Sequence, residues 1–169
     1  ATAAVAFGLL ARGHLVSGSL LLGVVLLTDS IDGLMARETH RNSAWGAFLD
    51  STMDRFGDAS IYSAIAVYAL SVPGALGTWT FGFALAIVPL ALIVSYARAR
   101  AEGVGLTASV GIAERSDRLV TSLLGRLLGG LGLPAWVLTV ALGWVAIASF
   151  ITVLQRMATV YRQVQAHGA

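Results

Sequence analysis

Long uncharged runs, separated by short arginine-bearing turns, leave this chain one broad class of fold. No residue between Asp58 and Arg98 carries a charge. Hydrophobic side chains make up 57% of the chain and charged ones only 12%. A soluble domain carries roughly 25% charged residues. A helix that crosses a bilayer needs about 20 apolar residues, and in lipid only helices and closed barrels satisfy their backbone groups. No alternating strand pattern occurs, so the sequence predicts an all-α, polytopic membrane protein with six transmembrane helices.

The turns set the spans. Residues 1–11 are apolar but too short to cross alone, and are expected to be the end of a truncated first helix. Further spans are expected over residues 15–37, 43–70, 79–102, 112–131 and 135–164. Between them lie a polar turn at 38–42, an uncharged loop at 71–78 and a glycine-punctuated loop at 103–111. Gly132 and Leu133 turn into Pro134, a favoured first helical residue. No internal repeat or second domain is apparent, so residues 1–169 are expected to form a single transmembrane domain.

Charge placement gives an orientation. All eleven basic residues are arginine. Arg37, Arg41, Arg98, Arg100 and Arg115 follow the second and fourth spans, and Arg156 and Arg162 lie near the C-terminus. The positive-inside rule makes that side cytoplasmic. Trp79 and Trp136 suit an aromatic belt on the other side. A net charge of +2 without a basic tract argues against nucleic acid as a partner, and the absence of cysteine excludes thiol and disulfide chemistry.

Against this background stand four carboxylates: Asp29, Asp32, Asp50 and Asp54. Residues three or four apart share a helix face, so each pair lies on one face of one span. Asp29 precedes Arg37 by eight residues, roughly 12 Å of helix, which puts the cluster near the cytoplasmic side. Ionisable groups in a membrane helix are costly and mark a cavity or a partner. Two helices aiming four carboxylates at one point would hold a divalent cation, and hard oxygen donors select Mg²⁺, Mn²⁺ or Ca²⁺. Interfacial pairing with Arg37, Arg41 and Arg55, or an ion or proton path in a transporter, uses the same residues.

The full spacing is Asp29-x2-Asp32-Gly33-x2-Ala36-Arg37-x8-Gly46-x3-Asp50-x3-Asp54. It resembles the signature of the CDP-alcohol phosphotransferase family without a departure. The resemblance implies a six-helix membrane enzyme of the cell membrane, active on its cytoplasmic side and commonly a homodimer. It implies CDP-diacylglycerol as lipid donor and CMP as product. It further implies Asp29, Asp32, Asp50 and Asp54 as ligands of Mg²⁺, or of Mn²⁺, with Asp54 also the general base. Asp29, Asp32, Gly33, Ala36, Arg37 and Gly46 would line the nucleotide. Small residues at Gly33, Ala36 and Gly46 permit close approach of a nucleotide or a backbone.

A second cluster bears on the acceptor alcohol. Arg98, Arg118 and Arg156 come from three different spans, and arginine suits bidentate binding of phosphate. Positive-inside anchoring accounts for the same residues without a ligand. The segments at 95–102 and 111–118 resemble the branch of the family whose acceptor is inositol 1-phosphate (1D-myo-inositol 3-phosphate). That resemblance implies Ser95, Arg98, Arg118 and Arg156 as the acceptor phosphate site. The branch using glycerol 3-phosphate is the nearest alternative, since its acceptor is also a phosphomonoester. Gly125 and Gly129 fit a helix-packing face, and Asp58 and Glu114 are expected only to pair with neighbouring arginines.

Overall fold

The computed structural model describes residues 43–112, 134 and 136–167. Within them the chain forms three helices, α1 (Ala44–Ala69), α2 (Gly74–Glu102) and α3 (Trp136–His167), and no strand. They answer to the expected third, fourth and sixth spans.

Ser43 starts α1. Its backbone is extended, and its Oγ accepts from the Gly46 N–H at 2.9 Å. This gives an acceptor to one of the orphan N–H donors at a helix start. The buried residues of α1 are Asp58, Tyr62, Ala64, Ile65, Ala66 and Ala69, and most recur at helical spacing on one inward stripe. The helix ends by tightening: the N–H groups of Leu70, Ser71 and Val72 reach back three residues to the carbonyls of Val67, Tyr68 and Ala69.

The next helix begins sooner than the sequence suggests. Pro73, Gly74 and Gly77 read as loop residues, yet α2 already starts at Gly74, and only 70–73 form the turn. Pro73 is extended and has no N–H to leave unsatisfied, and Gly74 adopts φ 76°, open to glycine at little cost. Gly77 is a packing residue: a Cβ there would overlap the Val72 carbonyl and stand 2.9 Å from the Ala69 oxygen. α3 likewise runs past the expected end at 164, to His167.

α2 packs against both α1 and α3. The four-residue turn makes α1 and α2 antiparallel. α3 runs parallel to α2, because Thr80 meets Thr139 near both N-termini and Val94 meets Arg156 near both C-termini. The core joins Tyr62, Ile65 and Ala66 to Ala84, Ile87 and Ala91, and to Leu138, Leu142, Val145 and Ala146. Ala66, Ala84, Ala91 and Ala146 are interleaved with the larger side chains, and such small residues let membrane helices approach closely.

One polar contact is embedded in this interface. Thr80 Oγ1 donates to the Leu76 carbonyl at 2.8 Å and lies 2.7 Å from Thr139 Oγ1. Each hydroxyl carries one proton, so Thr139 is the donor across the helices. Such bonds contribute about 0.6 kcal/mol in membrane bundles, at most about 1.7. Thr139→Val is therefore expected to lower the unfolding free energy in detergent by about that amount, read from a denaturation midpoint. A loss of several kcal/mol would mean that the bond has a larger part than packing allows.

Both α2 and α3 are long and apolar enough to cross a membrane. Their outward faces carry Leu85, Leu92 and Ile93 on α2, and Val140, Ile147, Phe150 and Leu154 on α3. Continuous exposed apolar area of this kind is unfavourable in water and matched to lipid tails. Pro89 lies within α2 and cannot donate to the carbonyl four residues before it, which membrane helices tolerate.

Candidate active site

The inward stripe of α1 changes character along its length. Its C-terminal half is apolar, and its N-terminal half presents Asp50, Asp54 and Asp58 on successive turns. Asp50 is exposed, Asp54 half-buried and Asp58 buried. At about 1.5 Å per residue, Asp54 stands roughly 22 Å and Asp50 roughly 28 Å from the Ala69 end of the helix. Ser95 and Arg98 lie roughly 31 and 36 Å along α2 from Gly74, and Arg156 roughly 30 Å along α3 from Trp136. The helix directions place all five at one end of the bundle.

Each candidate has a defined setting. Ser95 is half-buried, and its hydroxyl donates to the Ala91 carbonyl at 3.1 Å. Arg98 is half exposed, and its Nε donates to Glu102 Oε1 at 2.9 Å, one turn further on. Arg156 is buried. Its Nε donates to the Val110 carbonyl at 2.9 Å, and its Nη1 donates to the Val94 carbonyl. Val94 is four residues before Arg98, so Arg156 braces the turn of α2 that carries Ser95 and Arg98. Gly46 stands at the start of α1, where a Cβ would come 3.1 Å from the Ser43 cap oxygen. A side chain there would crowd the cap.

The segment after α2 is held along α3. Thr107 donates its N–H to Gln163 Oε1 at 3.0 Å and its hydroxyl to the same oxygen at 3.3 Å. Gln163 Nε2 returns a bond to the Thr107 carbonyl at 2.6 Å. Ala108 is buried, Val110 is bonded to Arg156, and Gly111 lies against Thr152 so closely that a Cβ would overlap the threonine methyl. Gly111 also has φ 153°, which disfavours a side chain.

Asp29, Asp32, Gly33, Ala36, Arg37 and Arg118 lie outside the described residues. So do Glu114, Gly125 and Gly129. Asp58, expected only to pair, is buried on the same stripe as Asp54. Glu102 escaped the sequence reading although its spacing from Arg98 is that of a helical ion pair. Thr107 and Gln163 are far apart in sequence, and no local pattern announces their pairing.

Among the described residues, no group of three or more His, Cys, Asp or Glu gathers closely enough to hold a metal. Asp50 and Asp54 contribute two hard oxygen-donor side chains on adjacent turns, at the open end of the stripe. That donor chemistry fits a divalent cation of the Mg²⁺ or Mn²⁺ kind, with further ligands from elsewhere.

The CDP-alcohol phosphatidyltransferase family model matches residues 1–161. The chain belongs to this family. Among its relatives is the phosphatidylinositol phosphate synthase of Cutibacterium acnes, 44% identical over 158 residues, covering 89% of this chain and 75% of that protein. The archaetidylinositol phosphate synthase of Methanothermobacter thermautotrophicus is 37% identical over 155 residues, covering 92% of this chain and 75% of that protein. The phosphatidylinositol phosphate synthase of Mycobacterium tuberculosis, solved with CDP-DAG bound, superposes with a TM-score of 0.85 at 31% identity. The match covers 95% of this chain and 81% of the solved one. The same enzyme has been solved with manganese and citrate, again at a TM-score of 0.85 and 31% identity, over 95% of this chain and 77% of that one. Of the eight signature positions, Gly46, Asp50 and Asp54 lie on α1.

Proposed function

We propose that the chain transfers the phosphatidyl group of CDP-diacylglycerol to inositol 1-phosphate (1D-myo-inositol 3-phosphate), forming phosphatidylinositol phosphate and CMP. One observation carries the acceptor. Relatives whose names differ in the lipid, phosphatidyl or archaetidyl, share inositol phosphate. The donor is supported by the solved relative with CDP-DAG bound.

In this reading the acceptor hydroxyl attacks the lipid-bearing phosphorus. A new P–O bond forms to the acceptor, the pyrophosphate P–O bond breaks, and CMP leaves. Asp54 accepts the hydroxyl proton, and its half-buried place one turn beneath Asp50 suits a base that works beside a charged centre. Asp29, Asp32, Asp50 and Asp54 hold a divalent cation, Mg²⁺ in the cell, with Mn²⁺ able to replace it. That ion supplies charge neutralisation for the pyrophosphate. Gly33, Ala36, Arg37 and Gly46 complete the nucleotide side. Ser95, Arg98, Arg118 and Arg156 form the acceptor side. The Ser95 hydroxyl donates to the Ala91 carbonyl.

The remaining architecture belongs to the same reading: residues 1–169 as one domain of six spans, in a homodimer in the plasma membrane with the site facing the cytoplasm. Chelation tests the metal. EDTA is expected to abolish CMP release from CDP-diacylglycerol and inositol phosphate, and excess Mg²⁺ or Mn²⁺ to restore it. Full turnover in EDTA would remove the cation from the account.

A further inference from the structure

We propose that Gln163 is a positioning residue for the acceptor side of the site, acting through the backbone of Thr107. The inference rests on the reading of Ser95, Arg98, Arg118 and Arg156 as the acceptor phosphate site.

Residues 106–111 join the end of α2, which bears Arg98, to the segment that leads on to Arg118. They run along α3 in the opposite direction. Thr107 meets Gln163, Val110 meets Arg156, and Gly111 meets Thr152. The spacing is consistent: seven residues of helix from Gln163 back to Arg156 span about 10.5 Å, and three extended residues from Thr107 to Val110 span about 10 Å. The segment is thus laid out as a strap of fixed length against one helix.

Gln163 closes both hydrogen-bonding edges of the Thr107 peptide environment, since its oxygen accepts from N–H and hydroxyl and its amide donates to the carbonyl. This pairing fixes the start of the strap. Arg156 fixes its middle, and the same guanidinium braces Val94 on α2. Arg156 can meet both carbonyls only while Val110 stays in place. Gln163 therefore sets the position of Arg156, and through Val94 that of the Ser95–Arg98 turn, without itself touching the substrate. Its amide oxygen and one amide N–H are given to Thr107, which makes its part a supporting one.

The test compares Gln163→Leu and Gln163→Glu with the unchanged full chain in detergent or nanodiscs. Leucine removes all three bonds at similar bulk. Glutamate keeps an oxygen for the Thr107 N–H but sets a second oxygen against the Thr107 carbonyl. Gln163→Leu is expected to raise the KM for inositol phosphate about fivefold to thirtyfold, the size of one or two lost hydrogen bonds. The KM for CDP-diacylglycerol and the melting temperature should move little, and Gln163→Glu should fall between. A second readout needs no activity: amide hydrogen exchange over residues 106–111 should accelerate in Gln163→Leu. Unchanged exchange would overturn the inference. So would unchanged acceptor KM, or parallel loss of kcat, both affinities and thermal stability. Failure of the unchanged protein to use any phosphorylated acceptor would instead strike the functional reading, while the exchange measurement would still decide on Gln163.

Discussion

Asp54→Asn lowers kcat for CMP release about a hundredfold to ten-thousandfold while the protein stays folded; this is the largest single effect expected on the reaction. Asparagine has nearly the same shape, so α1 keeps its half-buried side chain at the same place on the stripe. What is lost is the capacity to take the acceptor proton. The contrast with Asp50 makes the result informative. Asp50 is exposed at the open end of the same face, and Asp50→Asn retains one hard oxygen donor. Raised Mg²⁺ should therefore recover much of the activity of Asp50→Asn and little of that of Asp54→Asn. Steady-state CMP release across a metal titration checks both. Equal recovery of the two variants would make Asp54 a ligand only and leave the base unassigned.

The second large effect falls on Arg156. Its guanidinium is buried and donates to backbone carbonyls from two different segments. Hydrogen bonds from a charged donor contribute about 1.5–3 kcal/mol each, and without them the 106–111 segment and α2 lose their shared donor. Arg156→Ala is expected to destabilise the protein by about 3 kcal/mol and to raise the acceptor KM steeply. Arg156→Lys keeps the charge but not the planar fork, so it should recover only part of the stability. Thermal unfolding without substrate is the deciding readout. If Arg156→Ala unfolds like the unchanged protein, the arginine serves the ligand alone and braces nothing.

These two residues also mark how far the sequence could be read. The shared face of Asp50 and Asp54 follows from helical spacing alone, and the uncharged span of α2 follows from its length. The family signature is legible because eight positions at fixed distances survive any uncertainty about neighbouring structure. The start of α2 was misjudged for a physical reason. Pro73, Gly74 and Gly77 are loop residues by local propensity, but Gly77 is there to let helix and turn touch. Tertiary packing outweighed propensity at that point. The family resemblance implies Arg156 as a phosphate ligand. Its bonds to Val94 and Val110 join positions far apart in the chain, and no spacing rule reaches that far. The pairing of Thr107 with Gln163 was hidden in the same way. Side-chain-to-backbone bonds leave no pattern in composition, because the acceptor is a carbonyl that every residue has.

The central claim is the transfer to inositol phosphate, and the acceptor comparison tests it most directly. CDP-diacylglycerol and Mg²⁺ are supplied to the purified membrane protein with inositol 1-phosphate, glycerol 3-phosphate or free inositol, and CMP release is followed. The account predicts Mg²⁺-dependent turnover with inositol phosphate and little with the other two. Preference for glycerol 3-phosphate would keep the carboxylate stripe and reassign the arginines, and the absence of metal-dependent CMP release with every acceptor would contradict the proposed transfer outright.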